Sequence, residues 1–299
     1  MDRIKNIVNG LLFFSIVMAC GKNPELEKDG PKDNSSTRIT SMVATVNIRY
    51  ENAEDDANGH SWVSRKPMIS DMVKKYDYDI FGTQEGLGNQ IADLQTELPD
   101  YSHFGISRDN DDEGEHATMF YKKNKYELLD KGDFWLSTTP DVPSKSWDAK
   151  FPMNTTWGKF KEKSSGYVFY VFNTHYDPVG TIARVESSKV MLDQAKKIAG
   201  SDPLIMTGDF NSTQTSEAYN ILNNSDLVRD AHGIAQAKST HSAGTTFNNW
   251  NINPTGSNRI DHIFVSPQWI VKTHSILGNT YGGKLPSDHY PVLVQLEGR

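Results

Sequence analysis

Cysteine is almost missing from this 299-residue chain, with Cys20 its single instance. One thiol excludes an intramolecular disulfide and a thiolate metal cluster, so a metal would need oxygen or nitrogen ligands. Basic stretches are missing too. Lysine and arginine total 31 against 38 acidic residues, a formal net charge of −7. Non-specific binding to a nucleic-acid backbone feeds on positive potential, so this balance argues against it. A negative chain that handles phosphate needs metal ions or a local basic site. Long apolar runs are also lacking: LLFFSIVMA (11–19) is well short of the ~20 residues of a spanning helix. No repeat of solenoid length is visible. What is present, 36% hydrophobic and 23% charged residues, supports a real core.

Arg3 and Lys5 precede the LLFFSIVMA run and Cys20-Gly21 follows it, the order of a secretory signal. VMAC resembles a bacterial lipobox, which implies that Cys20 becomes a lipidated first residue. Residues 1–19 are therefore expected to be a lipoprotein signal peptide, and the protein to be anchored in the cell envelope, facing the periplasm or the cell surface. Asp2, Arg3 and Lys5 sum to +1, so residues 20–299 carry −8. Residues 20–38 are polar with two prolines and read as a flexible tether. Ordered structure is expected from Ile39, as one domain over 39–299. No stretch predicts a protein partner, and a monomer is expected.

Within that domain, ITSMVATVNI (39–48), DYDIFGTQE (77–85), YVFYVFNTHYD (167–177), LIMTGDFN (204–211), RIDHIFVS and PVLVQLE read as buried strands. YSHFGIS and ATMFYKK read as strands around the acidic loop RDNDDEGEH, and YELLDKGDFWLS (126–137) as a strand pair or hairpin. HSWVSRKPMISDMVKKY (60–76) has helical spacing, with Pro67 either in the first turn or causing a kink. GNQIADLQTEL reads as a second helix. RVESSKVMLDQAKKIAG has a helical pattern through Val185, Val190, Met191, Leu192 and Ile198, stopping at Gly200. TSEAYNILNN is a short helix with Thr215 or Ser216 as N-cap. Strands outnumber helices and no hinge divides them, which predicts sheets inside and helices outside.

The strand ends share a chemistry. Asn47, Glu85, Asn173, His175, Asp209, Asn211, Asp261, Asp288 and His289 all lie where a buried strand ends or begins. Glu85, Asp209, Asp261 and Asp288 are hard oxygen ligands or bases, suited to Mg²⁺ or Mn²⁺. Asn47, Asn173 and Asn211 can donate to phosphate oxygens without adding charge. His175 and His289 can donate to an oxyanion or exchange a proton near neutral pH. Carboxylates, amides and two histidines without a cysteine nucleophile fit metal-assisted hydrolysis of a phosphate ester. Taken singly, Asp209 and Asn211 are also what a turn after Gly208 would use.

The ordered set TVNIR, GTQE, NTHYD, TGDFNS, RIDHIFVS and SDHYPV resembles the endonuclease/exonuclease/phosphatase superfamily, from about Met42 to Leu296. The likeness is greatest to bacterial members carrying stretches like FWLSTTPDVPSKSWD (134–148) and NTHYDPVGTIAR (173–184). The resemblance implies a deoxyribonuclease I-like four-layer α/β sandwich, with two packed, mostly antiparallel sheets flanked by helices and the site at one end. It implies that Glu85 binds Mg²⁺ or Mn²⁺, with Asn47 beside the ion and Asp288 on it directly or through water. His289 matches the histidine that serves as general base or as donor to a phosphate oxygen, and Asp261 the aspartate that fixes its tautomer. Asp209 and Asn211 match the pair that orients the attacking water and the phosphate. His175 matches a donor to a phosphate oxygen, with Glu115 as its carboxylate partner. One departure stands out: some members carry an aspartate, a further metal ligand, where this chain has Arg49. Arg49 is read either as a substrate-phosphate ligand or as a structural salt bridge. Arg184 is read as a phosphate clamp or as the cap of a helix start.

Trp135, Trp147, Trp157, Trp250 and Tyr176 fall in or near loops, either to stack on a base or sugar or to anchor packing. NNWNINPTGSNR (248–259) is placed at a pocket rim. Three functions follow: a metal-dependent phosphodiesterase or nuclease, the same chemistry on a sugar, inositol or phospholipid-headgroup ester, or a catalytically silent surface lipoprotein.

Overall fold

Apolar residues alternate between two destinations along the central strands, and this fixes the layering. In a computed structural model that describes residues 38–111, 113–240 and 244–299, Val43, Ile80, Phe169, Val171, Ile205, Ile263 and Val265 share one core cluster. Their strand neighbours face outward: Ala44 and Phe81 into a second cluster, and Tyr170, Phe172, Leu204, Met206 and Phe264 into a third. Period-two alternation with both faces apolar is the mark of a strand covered on both sides.

Among the described residues, two sheets carry this pattern. The first contains β1 (Thr40–Asn47), β2 (Ile80–Gln84), β3 (Tyr101–Phe104), β4 (Met119–Lys122), β10 (Ala237–Thr240), β12 (Trp269–Ile276) and β13 (Val292–Gly298), in the order β10-β12-β13-β1-β2-β4-β3. The second contains β5 (Tyr126–Trp135), β6 (Asn154–Glu162), β7 (Val168–His175), β8 (Leu204–Asp209), β9 (Arg229–Asp230) and β11 (Asp261–Val265), in the order β5-β6-β7-β8-β11-β9. The pairs β1–β2, β7–β8 and β10–β12 are parallel and the rest antiparallel, so both sheets are mixed. Helices α2 (Trp62–Lys75) and α3 (Gly88–Glu97) cover the outer face of the first sheet, where Trp62, Ile69, Met72, Ile91 and Leu94 join Phe81 and Phe120. Helices α4 (Thr181–Ala199) and α5 (Glu217–Asn223) cover the second through Met191, Ala195, Ala199 and Leu222. Two one-turn helices, α1 (Ala53–Ala57) and α6 (Ala231–Ile234), complete the helices among the described residues. The four-layer α/β sandwich expected from the sequence is the fold.

Local differences have physical reasons. Residues 126–137 contain one strand, β5, not a hairpin. Gly132 stays paired with Trp157, and a Cβ there would lie 2.9 Å from the indole, so the glycine makes room rather than a turn. On α4 the buried stripe is Ala183, Ser187, Ser188, Met191, Ala195 and Ala199, with Val185, Val190, Leu192 and Ile198 half-buried on its flanks. Small residues let that helix lie close to the sheet, and Ser188 Oγ donates to the Ala218 carbonyl to bind α5. Pro67 lies inside α2, beyond the first turn; Val63, whose carbonyl the proline leaves without its helical N–H, is exposed to water. Ser216 is the N-cap of α5, accepting from Tyr219 N at 3.2 Å. The expected signal segment, Cys20 and all of the tether up to residue 37 lie outside the described residues. No described helix is long and apolar enough to cross a membrane.

Candidate active site

Strand register brings the polar ends together. His175, Asp209 and Asp261 are direct partners across β7, β8 and β11, and Asn47 pairs with Gln84 across β1 and β2. All continue the inward-facing alternation, so they meet between the sheets at one end. Five non-glycine residues there have left-handed backbone: Glu85 (φ 64°), Asn211 (φ 46°), Arg49 (φ 55°) and, on the cavity wall, Asn249 (φ 48°) and Trp250 (φ 60°). Such conformations cost about 1 kcal/mol or more each and concentrate at functional sites.

Asp209 is the hub. Its Oδ2 accepts from Asn47 Nδ2 at 3.0 Å and faces His175 Nε2 at 3.7 Å and His289 Nε2 at 3.8 Å. Its Oδ1 accepts from Asn211 N at 2.9 Å, which sets the turn that ends β8. Asn47 Nδ2 also donates to Glu85 Oε1 at 2.9 Å, so a single amide aligns two carboxylates. His289 Nδ1 lies 2.9 Å from Asp261 Oδ2, which leaves Nε2 toward the cavity. Ser287 Oγ donates to the Asn47 carbonyl at 2.7 Å and ties the His289 segment to β1. Above this floor opens a cavity of about 840 Å³, walled by Tyr50, Arg108, Lys150, Phe151, Phe247 and Trp250.

Burial governs the charge states. Burial alone would push His289 down, yet Asp261, Asp209 and Asp288 together hold it well above the ordinary histidine range. Burial, then the charge of Asp261, pushes Asp209 up to about 7 against the pull of His289. Burial and the charge of Glu85 push Glu115 up to about 7, with Arg108 opposing. Burial pushes His175 down to about 4, so it is neutral near pH 7. Asn211 Nδ2 donates to the Tyr176 carbonyl at 2.8 Å and lies 3.2 Å from His175 Nε2, which must be the acceptor because the amide nitrogen has only hydrogens to give.

Eight of the twelve site residues expected from the sequence line the cavity: Arg49, Glu85, Glu115, His175, Asp209, Asn211, Asp288 and His289. Asn47 and Asp261 lie directly behind them. The Asn47 oxygen accepts from Arg49 N at 2.9 Å, so this side chain turns its amide, not a ligand oxygen, to the carboxylates. Compact donor geometry instead joins Glu85, Asp209 and His289, each with a ligand atom within 4.8 Å of the others. Asp288 borders the cavity outside that triplet.

Two residues are placed elsewhere. Asn173 is fully buried: its Nδ2 donates to the carbonyls of Thr83 and Thr118, and its Oδ1 accepts from Gln84 and Thr207. With every donor and acceptor used, three of the four bonds bridging the sheets, it cannot reach a phosphate. Arg184 donates to the Asp177 carbonyl and Thr181 Oγ1 and lines an adjoining groove of about 230 Å³, not the main cavity. Glu115 takes Arg108 as its partner, with two contacts of 3.0 Å, and stands 3.9 Å from His175. Arg49 makes the salt bridge of its second reading, Nε to Asp55 Oδ2 at 2.8 Å, and still borders the cavity.

Sequence reasoning missed Arg108, Asp55 and Arg65. Arg65 carried a signal: it is a charge on the apolar stripe of α2, between Trp62 and Ile69. Of the five aromatics singled out, Trp250 alone lines the cavity, stacked on His60 at 4.1 Å. Trp135 and Tyr176 are buried, Trp157 is packed against the outer core, and Trp147 is 40% exposed.

Solved structures share this fold. A Bacteroides thetaiotaomicron protein of the endonuclease/exonuclease/phosphatase family is 41% identical, with TM-score 0.85 over 88% of this chain and 96% of that one. A mannosyl-6-phosphatase of Bacteroides thetaiotaomicron is 42% identical, with TM-score 0.83 over 86% of this chain and 99% of that one. Human Nocturnin, at 18% identity and TM-score 0.68 over 89% of this chain and 99% of its catalytic domain, shares the fold. The chain spans two thirds or less of the curated relatives it matches: 66% of an uncharacterised mimivirus protein at 27% identity over 57% of this chain, and 42% of Drosophila melanogaster Nocturnin at 22% over 79%. Residues 44–289 match the model of the endonuclease/exonuclease/phosphatase family, and the chain belongs to that family.

Proposed function

We propose that the protein is a divalent-metal-dependent hydrolase of phosphate esters, acting on small monoesters of the sugar-phosphate kind. The observation that carries the reading is the Asp261–His289 pair aiming Nε2 at the floor where the Glu85 and Asp209 carboxylates converge. Two buried carboxylates and an imidazole at this spacing suit Mg²⁺ or Mn²⁺. Glu85 and Asp209 would hold the ion, which supplies Lewis-acid stabilisation of phosphate oxygens when bound.

The chain's own residues do the rest. Asp261 orients the His289 ring and helps keep it protonated, so Nε2 gives a hydrogen bond or a proton to a phosphate oxygen. Asn211 and His175 hold the turn beside Asp209 in place. Water oxygen bonds to phosphorus, the ester P–O bond breaks, and phosphate and the alcohol leave. A small ester is favoured by the mannosyl-6-phosphatase at 42% identity and by the acidic balance of the chain. Among the described residues the cavity wall offers Arg49, Arg108 and Lys150 singly, with Glu54 and Asp55 also on it, and no basic track for a strand.

The test is hydrolysis with Mg²⁺ or Mn²⁺ of mannose 6-phosphate, read as released phosphate, of bis-p-nitrophenyl phosphate, read as released nitrophenolate, and of DNA and RNA, read as cleaved strands. Release from the sugar phosphate is expected, abolished by chelator and reduced ~10²-fold or more in His289→Ala or Asp209→Ala. Full activity of either variant sinks the mechanism, and faster turnover of DNA or RNA sinks the substrate class. We infer also that Cys20 carries lipid and anchors the protein in the envelope. Cys20→Ser should then move it from the membrane to the soluble fraction; retention in the membrane refutes this.

A further inference from the structure

Arg49 is held in place at some cost. Its backbone is left-handed at φ 55°, and its carbonyl accepts from Arg65 Nη2 and Gln90 Nε2, each at 3.0 Å. The side chain is pinned by Asp55, whose Oδ2 accepts from Arg49 Nε at 2.8 Å and from Asn52 Nδ2 at 2.7 Å. So placed, the guanidinium faces two more carboxylates: Nε lies 3.8 Å from Asp288 Oδ2, and Nη1 lies 3.9 Å from Glu85 Oε2. Three acidic side chains converge on one cation at the edge of the floor. The guanidinium also lies over the Tyr50 ring, 4.6 Å from its centroid, and the side chain is 24% exposed, on the cavity.

We propose that Arg49 is a built-in cation that takes the place of a second divalent ion, so that the site binds one ion at Glu85 and Asp209. This rests on the metal-dependent reading above. Paired catalytic ions stand about 3.5–4 Å apart and share carboxylates. Glu85 is the carboxylate such a pair would share here, and its Oε2 side already faces the guanidinium. A guanidinium cannot lose its charge at neutral pH and offers donors in a fixed plane, so from the cavity wall it can take a phosphate oxygen. A salt bridge that served only to hold α1 would need Asp55 and neither of the other two carboxylates.

Mn²⁺ stoichiometry decides the matter, read by calorimetric titration and by electron paramagnetic resonance on the full chain. Wild type is expected to bind one Mn²⁺. Arg49→Ala should bind two, because Asp55, Glu85 and Asp288 are left without a counter-ion, while Arg49→Lys should stay at one. Arg49→Gln replaces the alanine variant if circular dichroism shows that it does not fold. Inorganic phosphate, followed by ³¹P resonance on the metal-free protein, should bind about tenfold more weakly to Arg49→Ala. Two ions in wild type, or one in every Arg49 variant, overturns the role given to Arg49 and leaves metal dependence standing. No Mn²⁺ bound by wild type overturns metal dependence itself, and this inference with it.

Discussion

Replacing Arg65 by methionine should both destabilise the fold and blunt the site. The Arg65 side chain is 1% exposed. Its guanidinium donates to four backbone carbonyls: Ile48 at 2.6 Å, His60 at 2.8 Å, Arg49 at 3.0 Å and Pro286 at 3.1 Å. These acceptors belong to the segment after β1 and to the one before Ser287–His289, so one side chain joins the two stretches that carry Asn47, Arg49 and His289. Hydrogen bonds from a charged donor are worth ~1.5–3 kcal/mol each, a gross loss of ~6–12 kcal/mol for four. Two effects reduce it. Burial pushes the guanidinium down to about 10, a charge cost of ~3 kcal/mol that methionine removes. Water entering beside the shorter polar path also meets some of the carbonyls. A net loss of ~4 kcal/mol is expected, or ~8–16 °C in Tm for a domain of this size. Urea titration and thermal melting of wild type and Arg65→Met measure it. At a temperature where both are folded, kcat/KM should still fall about tenfold, because the loops are no longer tied. A change below ~1 kcal/mol with unchanged kcat/KM would show that the two segments hold their positions without Arg65.

Asp261→Asn should leave the melting temperature within a few degrees of wild type and lower kcat by ~10²-fold with little change in KM, since it removes the acceptor that orients His289; a KM effect alone would refute the orienting role. Gly82→Ala should cost ~1–3 kcal/mol in urea titrations, because its Cβ would stand 2.1 Å from Asn173 Oδ1 and 2.7 Å from Thr207 Oγ1. Adding Asn173→Ala should recover part of that loss if the clash is the cause, and strictly additive losses would deny it. His274, on β12, is held down to about 3 by burial, with Asp230 opposing and His232, Arg259 and His262 adding to the fall. A base whose folded pKa lies below its unfolded value near 6.5 leaves stability intact above that pH. Stability then drops as pH falls toward 3, by ~2 kcal/mol at pH 5. Urea midpoints of His274→Leu should therefore be flatter than wild type between pH 7 and 4, and an unchanged slope refutes the assignment.

Strand ends were legible because both cues were local. Apolar residues on consecutive positions marked strands covered on two faces, and the break to Asp209, His175 or Glu85 marked where cover ends. What periodicity cannot report is depth. Asn173 and His175 share the inward face of β7, but at ~3.3 Å per residue Asn173 lies ~7 Å further from the mouth. That distance separates a residue at the cavity from one sealed between the sheets. Arg184 stayed between two readings for a related reason: nearness to a site loop says nothing of which way the first turn of a helix points, and its bonds are to the start of α4 and the loop before it. Arg108 and Asp55 were invisible because each gains its meaning from a partner, Glu115 or Arg49, that only tertiary structure places.

The misread asparagine explains how a polar site is built over an apolar core. Thr45, Gln84, Asn173 and Thr207 form one hydrogen-bonded layer beneath Asn47, His175 and Asp209: Gln84 donates to Thr45 and Asn173, and Thr207 donates to Asn173. Below that layer Val43, Ile80, Val171, Ile205 and Ile263 are fully buried. Without the layer, buried carboxylates would rest directly on hydrocarbon, and unpaired polar groups would be left at the boundary at ~1–3 kcal/mol each. With it, the Gln84 amide donating to Asn173 and the Asn173 amide donating to the Thr83 and Thr118 carbonyls bridge the two sheets, so the spacing that sets the width of the mouth is held by hydrogen bonds of fixed length. Gly82 belongs to the same device, since any side chain there would displace the Asn173 amide. Asn173 thus serves the site by fixing the gap between β2 and β7 rather than by meeting the substrate.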